Sequence, residues 1–69
     1  MNWLAFLIHD NDMTQGELGE LVGVSRVSIN HYARGLVRPS DEVLDRIALA
    51  LRWEGDSNKL LEEIELGGK

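Results

Sequence analysis

Residues 14–35, TQGELGELVGVSRVSINHYARG, constrain the fold more than any other part of the chain. Thr14 with Glu17 three residues on is a capping box. The hydroxyl and the carboxylate each satisfy a backbone N–H that the start of a helix leaves free. Leu18, Leu21 and Val22 then recur at i, i+3 and i+4 and predict one inward face. Gly23 ends this helix, and Ser25 is a preferred cap for the next. The second helix is predicted from Arg26 to Arg34, with Gly35 closing it. Ile29, Tyr32 and Ala33 make its inner stripe; Val27, Asn30, His31 and Arg34 make the outer one. Two short helices joined by the turn Gly23-Val24-Ser25 form a helix-turn-helix. Gly16 and Gly19 run against helix propensity, each by about 1 kcal/mol relative to alanine. Gly19 is expected to admit a closely packed neighbouring helix, whereas the sequence offers no reason for Gly16.

Three further helices complete an all-α expectation. The first covers Asn2 to Asp10, with Leu4, Leu7 and Ile8 as its stripe, and Asp10-Asn11-Asp12 breaks it. Trp3 and Phe6 lie off that stripe, so this helix is either buried on two sides or exposes an apolar patch. The fourth helix follows Pro39, with Ser40 as cap and Asp41 and Glu42 at the positive end of its dipole. Leu44, Ile47, Ala48 and Leu51 give it the clearest amphipathic pattern in the chain. A fifth is predicted from Asp56 or Ser57 to Leu66, with Leu60, Leu61 and Ile64 on its apolar side. Strand patterns are absent. The expectation is five short helices in a single domain over residues 1–66, with 67–69 as a frayed tail.

Composition narrows the possible functions. A chain of 69 residues holds one domain at most. It has no cysteine, which removes disulfides and thiolate zinc sites. Asp10-x-Asp12-x-Thr14 opens like a calcium loop. Gln15, however, stands where such a loop requires glycine, and Leu21 where it requires glutamate. No metal, cofactor or enzymatic activity is expected. The apolar run Trp3–Ile8 is too short to span a membrane and lacks the basic flank of a signal peptide. A cytoplasmic location is therefore expected.

Acids outnumber bases, 12 to 7, for a net charge of −5. That balance argues against a generic polyanion binder. The charge is unevenly spread, with residues 1–12 at −2, residues 13–39 at +1 and residues 40–69 at −4. Arg26, Arg34 and Arg38 lie in a stretch without a single acid. A local basic face on an acidic body is compatible with nucleic acid, at modest affinity per subunit and with a shallow salt dependence.

From Leu4 to Leu51 the chain resembles the Cro/CI, or XRE, family of phage and bacterial repressors. The resemblance is carried by Thr14-Gln15, Leu18, Leu21, Gly23-Val24-Ser25, Ile29, Gly35 and the Arg38-Pro39 step. It implies a lambda-repressor-like fold and a transcriptional regulator that binds a pseudo-palindromic double-stranded DNA operator. Arg26, Val27, Ser28 and His31 fall where family members read bases, and Gln15 where they touch a phosphate. The residue chemistry agrees. The fork of Arg26 matches guanine O6 and N7, Val27 suits a thymine methyl, and Ser28, Asn30 and His31 offer hydrogen bonds. Asn30, Arg34 and Arg38 are further expected to contact phosphates. Many family members pair an arginine near the end of helix 1 with a glutamate late in helix 3. Ile8 and Ala33 stand there, so an apolar contact is expected instead.

Trp3, Phe6, Trp53, Leu60, Leu61 and Ile64 exceed what a four-helix core of this size needs. Either the fifth helix packs back onto the first, or it forms a homodimer seam of Trp53, Leu60, Leu61 and Ile64. The alternative function is a protein-binding module, antirepressor-like or antitoxin-like, with a regulatory protein as partner.

Overall fold

The computed structural model describes residues 1–64. In chain order they form α1 (Trp3–Asp10), α2 (Gln15–Val22), α3 (Arg26–Ala33), α4 (Asp41–Ala50) and a 3-10 helix, Ser57–Leu61. Every start is capped by a side chain. Thr14 and Glu17 complete the capping box, with Glu17 N–H donating to Thr14 Oγ1 at 3.0 Å and Thr14 N–H to Glu17 Oε1 at 2.8 Å. Ser25 caps α3 and Ser40 caps α4, as their sequence positions predict. Asn2 caps α1 by accepting from Ala5 N–H, and Asp56 caps the 3-10 helix.

The α-helices end alike. A left-handed residue follows each, namely Asp12 (φ 59°), Gly23 (φ 83°), Gly35 (φ 75°) and Arg52 (φ 58°). The next N–H folds back onto the last turn: Met13 to the Ile8 carbonyl, Val24 to Gly19, Leu36 to His31 and Trp53 to Ala48. These bonds satisfy carbonyls that a helix end otherwise leaves unpaired.

The core is drawn from all of these elements: Leu4 and Ile8, Leu18 and Val22, Ile29 and Ala33, Leu44, Ile47, Ala48, Leu51, and Leu60. Ile8 and Ala33 are both buried in it. The polar link between α1 and α3 comes instead from buried Asn2, whose Nδ2 donates to the Tyr32 carbonyl at 3.0 Å.

Leu21 departs from expectation. It is 65% exposed rather than inward. The buried residues of α2 are Leu18, Gly19 and Val22. At roughly 100° per residue, this arc centres between Leu18 and Gly19 and leaves Leu21 about a sixth of a turn outside its edge. Gly19 permits this orientation. A Cβ there would lie 2.6 Å from the Val24 carbonyl oxygen, so the bare backbone of α2 presses against the turn. The close approach is to the turn, not to the body of a neighbouring helix. Gly16 is different. A Cβ there would make ordinary contact with Arg26 Cδ at 3.7 Å.

The fifth α-helix is also corrected, to the 3-10 helix and an extended segment. Leu60 is fully buried. Beyond it Glu62 is extended, and Asn2 and Glu63 form an isolated antiparallel bridge. Trp3 N–H donates to the Glu62 carbonyl at 3.1 Å, and Ile64 N–H to the Met1 carbonyl at 3.0 Å. The N-terminal amine meets Glu63 Oε1 at 2.8 Å. Pairing with the N-terminal segment thus takes the backbone groups that further helical turns would use. A run ending in Glu62 and Glu63 is also a poor helix C-terminus, where the dipole disfavours acids. The remainder of the expected helix, through Leu66, and the tail 67–69 lie outside the described residues. Among the described residues, no helix is long and apolar enough to cross a membrane.

Candidate nucleic-acid interface

Gln15 is the first residue of α2, and Arg26 is the first of α3. The turn brings these two helix starts together, so that Gln15, Arg26, Val27 and Asn30 line one shallow recess. No acid is in that lining. Each helix start carries partial positive charge and free N–H groups, which suit an anion. Asn30 Nδ2 donates to Gln15 Oε1 at 3.3 Å, tying α2 to α3 and leaving the Gln15 amide N–H groups to point elsewhere.

Arg26 is exposed, and its stem runs over Gly16. Gly16 therefore belongs to the floor under the one cation of this recess. The sequence holds no signal for that relation, because it arises only when α2 and α3 are packed. Val27 is 57% exposed beside Arg26, an apolar group held toward solvent on a polar stripe. Ser28 is half-buried. Its N–H donates to Ser25 Oγ at 3.0 Å, and its hydroxyl oxygen accepts from Ser25 Oγ at 3.1 Å.

The other expected contact residues stand apart from the recess. His31 is half-buried in the last turn of α3, and Arg34 is exposed at its cap. Arg38 donates to the Pro39 carbonyl, to Asp41 Oδ1 at 3.2 Å, and to Asn58 Oδ1. Its guanidinium pins the start of α4 to the 3-10 helix and has less freedom to follow a phosphate than Arg34.

Of the residues expected at a homodimer seam, Leu60 has no surface left for a partner. Trp53 packs on Trp3 with ring centroids 5.9 Å apart, and Ile64 pairs with Met1. Leu61 lines a second recess with Tyr32, Val37 and Asn58. Beside it the α3–α4 loop exposes Leu36 (60%) and Val37 (50%), which sequence periodicity could not mark because they lie outside any helix.

No curated protein and no solved structure matches the chain. A helix-turn-helix family model matches residues 7–53, from within α1 to just past α4, and so contains both helix starts of the recess. The family is one of DNA-binding transcriptional regulators, and the fold it implies is the lambda-repressor-like one. With that match spanning most of its length, the chain belongs to the Cro/CI-type, or XRE, helix-turn-helix family.

Proposed function

We propose that the protein is a transcriptional regulator that binds a two-fold operator as a dimer, each subunit placing α3 in the major groove. The observation that carries this reading is the shared recess at the starts of α2 and α3. Arg26 and Val27 contact base edges there, as guanine acceptor and thymine methyl partners. Gln15 holds a phosphate at the start of α2, oriented by Asn30. Ser28 and His31 extend base contact along the helix, and Arg34 meets the backbone at its far end.

The dimer seam in this reading is the exposed Leu36–Val37 loop with Leu61. It adjoins the C-terminal end of α3 and leaves the recess open. A two-fold through that loop relates two recognition helices, as inverted half-sites one helical turn apart require. The test is selection from a random double-stranded DNA library followed by sequencing. The expected result is an inverted repeat with half-site centres about 10 base pairs apart. Enrichment of no motif, at low as well as moderate salt, would refute operator binding.

A further inference from the structure

Two recesses flank Leu21 on the solvent side of α2. One is walled by Asp12, Glu17 and Glu20. The other is walled by Arg46, Leu49, Ala50 and Arg52. Leu21 borders both and is the ridge between them. Leu49 is 80% exposed, more than any other large hydrophobic residue of the described chain. Among the described residues, the side chains of Glu20 and Arg52 make no ion pair. Arg46 is shared between Glu42, at 2.6 Å, and the Val22 carbonyl. The face therefore carries acid on one side, arginine on the other, and exposed leucine between and beside them. It has no residue in common with the Gln15–Arg26 recess or with the Leu36–Val37 loop.

We propose that this face takes a second copy of the same chain. The face is complementary in charge to itself, with acids walling one recess and arginines the other. A two-fold axis that exchanges the recesses must run through the ridge that divides them. The two Leu21 side chains then meet at the axis, and each acidic recess receives the arginines of the other copy. Leu49 of each copy covers the flank of the seam. Such an isologous contact is closed by symmetry, and opposite charges in register reject other alignments. The contact is distinct from the operator seam and does not depend on DNA binding.

The chain has no cysteine, so Leu21→Cys introduces a single thiol at the proposed axis. Under mild oxidation of the full chain, Leu21→Cys is expected to form an intermolecular disulfide about tenfold faster than the exposed control Glu54→Cys. Adding Glu20→Arg should slow it about tenfold by setting arginine against arginine, and adding Arg52→Glu as well should restore it. All these positions are exposed, and circular dichroism checks that each variant folds. A Val37→Cys variant reports on the operator seam and should not respond to the charge reversals, which separates failure of one contact from failure of the other. A Leu21→Cys rate no greater than that of Glu54→Cys overturns the proposal. A rate that ignores both charge reversals overturns it equally.

Discussion

The helix-turn-helix and the elements around it close their helices with the same geometry but with different residues. Inside the motif the left-handed positions are Gly23 and Gly35; outside it they are Asp12 and Arg52. A side chain in that conformation costs roughly 1–2 kcal/mol through the clash of Cβ with the following carbonyl. At the outer closures tertiary packing offsets this. Met13 and Trp53, which follow Asp12 and Arg52, are half-buried against the core. The motif's closures avoid that cost by using glycine, while the flanking closures bear it; Val24, which follows Gly23, is half-buried against the core just as Met13 and Trp53 are.

The largest effect on the motif is expected at Gly19. Alanine there places Cβ 2.6 Å from the Val24 carbonyl, which is backbone and cannot rotate away. Gly19→Ala should lower stability by roughly 2–3 kcal/mol in denaturant unfolding, despite alanine's better helix propensity. Alanine at Gly35 meets nothing within 4 Å, so only the positive φ matters. Gly35→Ala should cost about 1 kcal/mol. The reciprocal change outside the motif should have the opposite sign. Arg52→Gly relieves the strain but enlarges the unfolded ensemble, for a net gain of about 0.5 kcal/mol and a slightly raised Tm. An unchanged or lowered Tm would mean that the outer closure is not strained.

The smallest effect expected is at the 3-10 helix. Hydrogen bonds from the backbone and then the side chain of Asn58 hold the Asp56 carboxyl below its ordinary value of 3.8, against a smaller opposing effect of desolvation, with Lys59 contributing least. A depressed value in the folded state contributes stability above pH 3.8 that is lost as pH falls through the lower, folded value. Asp56→Asn should remove that component, so the two proteins should converge in stability only at the acid end of a pH titration.

Separation along the chain explains what the sequence made legible. Thr14, Ser25, Ser40, Gly23 and Gly35 are local signals, and each sits at the helix boundary predicted for it. The inner residues of α4 follow a period that survives packing. Helical spacing places Leu21 inward, but its exposure goes with Gly19 meeting the turn, a contact that spacing within α2 does not encode. In the C-terminal segment Leu60, Leu61 and Ile64 fit a helical stripe, so spacing alone predicts an α-helix there. Its actual path is set by pairing with residues 1–3, far away in sequence. At the candidate site, Arg26, Val27, Gln15 and Asn30 were all legible as residue types. Their convergence on one recess was not, nor was the engagement of Arg38 with Asp41 and Asn58.

Base reading by α3 is tested by comparing base preferences of the wild type and Arg26→Ala, position by position, on the selected operator and its single-base variants. If the start of α3 reads DNA, Arg26→Ala should lose about 1–3 kcal/mol of affinity and relax discrimination at one base position in each half-site, with the other positions unchanged. An unaltered preference at every position would contradict base reading by the α2–α3 recess.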